Sequence, residues 1–321
     1  MPVSALWQYI AEGLEIRNNY RFPQFPFENG TLIPTTGDLP PGKDQVGALF
    51  MGGNLGEEAI LLAPGAADIP LTPVTLTTDN YPVVMAAKGY AVMWQEARTQ
   101  DSLKIRQLVE NRKIDIVRSE IAKRLNRFAA IGEPVLGYTG LYNNPNVSVT
   151  VSSFNPNTAT YSQWVEFLID TILSAGLSAD GETVLEPDTI LLSQRMRVLA
   201  SRIMNPQNGD VSALDAAIEQ LGTSAAGNAA SFIRSPFSSS DILEKYRVFT
   251  PGTNRDRIVI YTKDPAVVSR RIESTVAQLV DEQFLAPTQG LTRIFPFFSC
   301  SSGTMIHDAA GIKYIDVVKA V

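Results

Sequence analysis

Few residues of this chain have side chains that could perform catalysis. It has one histidine, His307, and one cysteine, Cys300, among 321 residues. A Ser-His-Asp or Cys-His mechanism would have to use His307, which lies beside Asp308 in a strand-like stretch with no nucleophile-elbow motif around a serine. No neighbour in sequence would lower the pKa of the Cys300 thiol, so a packing role is favoured over a nucleophilic one. We therefore predict a protein that is not an enzyme.

Metal and cofactor sites are disfavoured as well. A single cysteine excludes an internal disulfide and every multi-thiolate zinc site. The glycine-rich segment at residues 52–56 has the composition of a phosphate-binding loop, but no strand, loop and helix with Lys-Ser or Lys-Thr surrounds it. A hairpin tip is the favoured interpretation, and we predict no cofactor.

The overall composition is that of a globular protein with no role in a membrane. Hydrophobic residues make up 45% and charged residues 19%, and no run of about 18 apolar residues or signal-like start occurs. The formal net charge of -6 disfavours a surface that is basic all over, yet it leaves room for a local basic face. We expect a cytosolic product without a membrane partner.

The secondary structure predicted from the sequence differs between regions of the chain. Prolines concentrate before residue 85, which favours extended segments and turns there, including a long two-stranded segment. Residues 101–128 contain neither glycine nor proline and predict one long helix. Helices and strands alternate over residues 162–261, and residues 291–318 predict two or three further strands.

One face of the predicted long helix is basic. Arg112, Lys123 and Arg127 lie opposite an apolar stripe that runs from Ile114 to Phe128. Two interpretations remain open. The residues could form a solvated face stabilised by pairs four residues apart, or a strip that contacts nucleic-acid phosphates without reading sequence.

An aromatic and proline-rich strip precedes residue 28. Phe22, Phe25 and Phe27 alternate with prolines, so the strip exposes large rings that need a surface to cover them. We predict that these three rings pack on an adjacent subunit. The alternative is a strip that folds back on its own domain.

Several consecutive segments resemble the tailed-bacteriophage major capsid proteins with the Hong Kong 97 fold. The most specific is Gly137 to Val147, which is similar to the "G-x-x-G-L-x-N-x-P-x-V" link that follows the long helix in these coat proteins and in encapsulins. The other similar segments, in chain order, are residues 89–98, 101–128, 186–192, 256–265 and 291–318. The resemblance covers roughly residues 40–321.

The resemblance implies an α+β fold with four parts. These are an N-terminal arm (1–40), an extended β-hairpin loop (41–85), a peripheral domain with a long spine helix (86–136 and 266–321) and an α/β axial domain (137–265). Many relatives begin with a helical scaffolding extension, and when the resemblance is laid on this chain no residues are left for one. A separate scaffold or earlier trimming is therefore expected.

The function implied by the resemblance is a shell subunit. It would assemble with itself as pentamers and hexamers, and with neighbouring capsomers, into an icosahedral phage head around double-stranded DNA, in the host bacterial cytoplasm. Scaffold, portal and decoration proteins are further candidate partners. An encapsulin-type nanocompartment shell and an unrelated α/β enzyme are the alternatives.

Overall fold

The computed structural model describes most of the chain between Phe25 and Val321. The described ranges are 25–27, 30–39, 45–53, 74–93, 103–175, 187–207, 209–222, 231–273, 277–278 and 292–321. Phe22 lies outside them.

The predicted long helix is present as α1, Leu103–Ile131. It ends where Gly132 adopts a positive φ of 71°, a conformation that favours glycine. Val117, Ile121, Leu125 and Phe128 recur at intervals of three and four residues and are all buried, as an amphipathic helix requires. Two short strands, β5 (Gly132–Glu133) and β6 (Tyr138–Thr139), pair directly after the helix.

A six-stranded sheet lies under this helix. Its path is β1-β11-β13-β12, with β4 paired to β13 and β14 paired to β11. The strands are β1 (Thr35–Asp38), β4 (Val84–Met93), β11 (Val268–Ile272), β12 (Ala277–Gln278), β13 (Thr292–Ser301) and β14 (Met305–Ile306). The apolar stripe of α1 packs with Ala86 of β4 and Phe297 of β13 in one cluster.

A five-stranded sheet of order β7-β15-β10-β8-β9 forms the second layer system. Its strands are β7 (Ser148–Val151), β8 (Thr189–Ser193), β9 (Ser231–Ser235), β10 (Arg255–Tyr261) and β15 (Ile312–Val318). Because side chains alternate along a strand, Val259 and Tyr261 enter one core while Ile258 and Ile260 enter another.

Helices cover one face of this sheet. The core that contains Ile258 and Ile260 also contains buried side chains of α2 (Tyr161–Leu173), α3 (Gln194–Arg202) and α4 (Ala213–Leu221). A shorter helix, α5 (Ser240–Lys245), precedes β10. The described structure is thus a mixed α and β fold.

A two-stranded antiparallel ladder stands apart from both sheets. It joins β2 (Gln45–Gly53) to β3 (Val74–Pro82) over nine residue pairs. The sequence predicted such a two-stranded segment here. Gly52 and Gly53 are ladder residues paired with Thr75 and Val74, so they do not form a turn, and the predicted tip at residues 54–56 lies outside the described ranges.

Strand pairing and burial group some residues differently from two of the predicted domain ranges. The sequence placed residues 312–318 in the peripheral domain, but β15 pairs with β10 and β7 in the five-stranded sheet. The sequence placed residues up to 40 in an arm, but Phe27, Leu32 and Ile33 are fully buried in the core. Both differences arise from contacts between residues far apart in the sequence, which local sequence patterns do not reveal.

Candidate functional site

His307 has a hydroxyl partner, Ser269, that the sequence analysis missed. The Oγ of Ser269 and the Nε2 of His307 lie 2.6 Å apart, which is the distance of a nucleophile and its base. Ser269 is only 1% exposed, so no substrate reaches its hydroxyl. The Asp308 carboxylate accepts a hydrogen bond from the Ala310 N–H and caps a turn there instead of orienting the imidazole. The pair is therefore interpreted as a structural hydrogen bond.

Cys300 has the environment of an unreactive thiol. Burial and the nearby Glu273 carboxylate raise the pKa of its thiol, whereas a nucleophilic cysteine needs a lowered pKa. No group of acidic, histidine or cysteine residues in the described ranges could hold a metal ion. None of the described helices is long and apolar enough to cross a membrane.

A buried network of polar groups holds several elements together. The guanidinium of Arg257 donates to both carboxylate oxygens of Asp316 at 2.8 and 2.9 Å and to the Tyr142 carbonyl at 2.7 Å. The rings of Phe249 and Tyr314 flank it, 4.7 and 4.8 Å from Cζ. Burial raises the pKa of the Tyr142 and Tyr314 hydroxyls, so both stay protonated. This network ties the 137–147 link to β10 and β15.

The structure does not bring together the three cations that were predicted to contact nucleic-acid phosphates. Arg112 is half-buried near the start of α1, Lys123 is exposed, and Arg127 is half-buried near the end of the helix. Arg127 stacks on the Tyr246 ring, with its Cζ 5.0 Å from the ring centroid. Two neighbouring charged residues of α1 pair with other elements: Arg124 pairs with Glu133, and Glu120 pairs with Lys88 of β4.

The aromatic strip needs one correction. Phe27 is fully buried in its own chain, where its ring meets Tyr142 and Phe237 edge-on at 6.4 and 5.7 Å. Its N–H donates to Asn126 at 3.0 Å and its carbonyl accepts from Arg270. For this ring the fold-back alternative applies, because no part of it remains for a neighbour. Phe25 is half-buried.

A cavity is a further candidate for a reaction centre. It has a volume of about 640 Å³ and lies between α3, α5 and the last residues of the chain. Its acidic Asp256 is committed to hydrogen bonds from the Ser193 hydroxyl and the Ser240 N–H. The other aspartate of the lining, Asp241, is paired with Lys319, so both aspartates already have partners.

Comparison with known structures reports the same fold throughout the chain. The capsid of Myoviridae phage XM1 matches with a TM-score of 0.65 at 11% identity, over 96% of this chain and 98% of that one. The capsid of the native GTA particle matches with a TM-score of 0.57 at 13% identity, over 99% of each chain. The SrpI encapsulin of Synechococcus elongatus PCC 7942 matches with a TM-score of 0.53 at 10% identity, over 98% and 96%.

Comparison by sequence identifies the family. No curated protein matches the chain. The sequence profile described as "Major capsid protein" matches residues 57–318, which is most of the chain and includes α1 and nearly all of both sheets. The chain therefore belongs to the major capsid protein family.

Proposed function

We propose that the chain assembles as pentamers and hexamers into an icosahedral phage head that encloses double-stranded DNA. The observation that carries this proposal is the family match over residues 57–318. The fold shared with the XM1 capsid supports it. The native GTA capsid was computed with C5 symmetry, which supports five-fold rings by analogy. The family is structural, and we propose that the chain has no catalytic activity.

The parts of the fold take the corresponding roles in this proposal. α1 serves as the spine helix, and the β2–β3 ladder serves as the extended loop of residues 41–85. The six-stranded sheet with α1 forms the peripheral domain. The five-stranded sheet with α2, α3 and α4 forms the axial domain of residues 137–265, to which β15 is added because of its strand pairing.

An encapsulin-type shell is the second candidate, supported by the likeness to SrpI. Imaging of negatively stained particles from the full chain tests both candidates against an enzyme. Closed shells are expected, and failure to form any particle would contradict both shell proposals. Nuclease-protected DNA in particles from infected cells would support the phage head, while empty shells that load a protein cargo would support the encapsulin.

We place Arg112, Lys123 and Arg127 on the surface that meets the packaged DNA, by contact with phosphates alone. Replacing all three by glutamine should lower the DNA content of the heads without preventing shell assembly, because counterion release scales with the cations that reach phosphates. The matched control exchanges arginine and lysine at the same positions and keeps the charge. Heads of the glutamine variant that fill normally would contradict this placement.

The aromatic residues before Phe27 take the role of an arm in the proposal. Phe22 and Phe25 contact a neighbouring subunit, where burying a ring contributes about 1.5 to 3 kcal/mol. Scaffold, portal and decoration proteins are further partners of the assembled head, which forms in the host bacterial cytoplasm.

A further inference from the structure

A small charged pocket lies between the end of α1 and the turn that follows α5. Its volume is about 240 Å³, several times the ~30 Å³ that one water occupies in the liquid. Its charged lining residues are Arg127, Lys245, Arg247 and Glu133, and Tyr246 forms one wall. The pocket therefore has three cations and one carboxylate around a space that a phosphate group fits.

Two of the three cations that line this pocket contact the same aromatic ring. Arg127 lies 5.0 Å and Lys245 5.6 Å from the centroid of Tyr246. Each contact is favourable by itself, and together they place two positive charges beside the same ring. The carboxylate of Glu133 is paired with Arg124, a fourth cation nearby. An added anion would be attracted by the excess of positive charge around the pocket.

Arg247 has a backbone conformation that its residue type disfavours. Its φ is 61°. The N–H of Arg247 donates to the Glu244 carbonyl at 3.0 Å, and the N–H of Val248 donates to the Leu243 carbonyl at 2.8 Å. These two bonds form a Schellman motif, in which glycine is the usual residue at the position of Arg247. An arginine there gains nothing for the turn, so its exposed side chain calls for another explanation.

Cations near the ends of helices have a simpler explanation that must be separated from ligand binding. Arg127 and Lys245 lie in or near the last turns of α1 and α5, where a positive charge complements the helix dipole. The same attraction acts on Arg247, which directly follows α5, so a change in DNA binding measured apart from stability is needed to distinguish ligand binding from this effect.

We propose that this pocket binds a backbone phosphate of the packaged nucleic acid. The inference rests on the proposed function, since it assumes that this surface faces the genome. Guanidinium groups bind phosphate through two parallel hydrogen bonds, and an ammonium adds a point charge. Every nucleotide carries the same phosphate, so the contact is independent of sequence.

The test measures how full-length subunits, before assembly, bind a mixed-sequence DNA duplex of about 20 base pairs over a range of salt concentrations. Arg247→Gly should weaken binding several-fold at low salt and reduce the slope of log K against log salt by about 0.9, the value for one lost phosphate contact. Its thermal unfolding midpoint should stay or rise, because glycine suits the turn. An unchanged slope would overturn the inference.

Two matched controls accompany this variant. Arg202→Gln removes a cation from the last turn of another short helix, α3, and should leave the slope unchanged. Asn254→Gly relaxes the other described non-glycine residue with positive φ without removing charge, and it should also leave the slope unchanged. An equal loss of slope in Arg202→Gln would show that general charge, and not this pocket, sets binding.

Lys245→Gln and inorganic phosphate separate the remaining explanations. A lower unfolding midpoint for Lys245→Gln with an unchanged DNA slope would assign the cations to the helix ends and overturn the inference. Saturable binding of inorganic phosphate with an unchanged DNA slope in Arg247→Gly would assign the pocket to free phosphate and overturn it too. Loss of shells in Arg247→Gly with normal DNA binding would assign it to a protein contact. Absence of shells from the wild-type chain would contradict the proposed function itself.

Discussion

At the scale of single residues, His307 connects the β2–β3 ladder to the core. The Tyr81 ring at the base of β3 meets the imidazole edge-on at 5.8 Å, and the Tyr81 O–H donates to the Ile306 carbonyl at 2.6 Å. Burial lowers the pKa of His307, the Arg271 charge adds to this, and Asp79 opposes it. The imidazole is therefore held neutral where an exposed one begins to gain a proton.

This environment predicts a stability that depends on pH. The unfolded chain binds a proton at His307 near pH 6.5, while the folded chain resists it, so the unfolded state holds more protons just below that pH. The free energy of unfolding should be fully retained above about pH 6.5 and should decrease as the pH falls toward the lowered pKa of the folded state. Urea unfolding at about pH 5 and pH 7 measures the difference.

His307→Gln should reduce this difference between the two pH values, because the chain has no other histidine. Carboxylates that titrate at lower pH contribute equally to both proteins and cancel in the comparison. An identical pH difference in the variant would contradict the assignment to His307.

At the scale of elements, the link after α1 depends on one glycine that tolerates no side chain. A Cβ on Gly140 would lie 2.5 Å from the Gly132 nitrogen and 2.6 Å from the Ala130 carbonyl oxygen. Both are backbone atoms, held by hydrogen bonds from Leu141 and Tyr142 to the last turn of α1. Close backbone contact thus fixes how the helix continues into the five-stranded sheet.

We predict that Gly140→Ala lowers the free energy of unfolding by about 3 kcal/mol or more, because the clash moves two backbone segments. Gly137→Ala is the matched control in the same link. Gly137 has a φ of 74° and no atom within 4 Å of an added Cβ, so its cost is limited to backbone strain of about 1 to 2 kcal/mol. Urea unfolding of both variants compares them, and equal losses would contradict a steric role for Gly140.

Elements with a strong local pattern were predictable from the sequence, and elements held by long-range contacts were not. The glycine-free helix lies within a few residues of its predicted bounds, and β13, β14 and β15 lie within the predicted strand region at 291–318. β11 was missed because Arg270 and Arg271 make it look exposed, yet Arg270 is fully buried and donates to Ser301 and to the Phe27 carbonyl. α5 is only six residues long, too short for a helical period to show.

Part of the candidate site was likewise predictable from the sequence, and part was not. The basic face of α1 was predictable because helical spacing places Arg127 relative to the apolar stripe. Its contact with Tyr246 was not, since only the tertiary fold brings the turn after α5 to the end of α1. The one local signal that could have marked the turn is the Lys-Tyr-Arg run at 245–247, a basic and aromatic grouping that also occurs on ordinary surfaces.

At the scale of the whole molecule, the aromatic strip divides at Phe27 between the core of one subunit and the proposed contact with the next. Phe27 is part of the same cluster as Tyr142, Leu191 and Val259, so its ring stabilises the monomer. Residues 1–24 lie outside the described ranges and include Phe22. Deleting residues through 27 would therefore mix a folding defect with an assembly defect, which the sequence alone could not foresee.

Two variants separate these roles. Deletion of residues 1–24 should leave the free energy of unfolding of the subunit nearly unchanged but should prevent closed shells, because each subunit loses the Phe22 contact with its neighbour. Phe27→Ala should instead lower the free energy of unfolding by about 3 to 5 kcal/mol, since it leaves a cavity in the core. Urea unfolding and negative-stain imaging of both proteins check this. Intact shells from the deletion would refute the arm, and a deletion as unstable as Phe27→Ala would place residues before 25 in the subunit's own core.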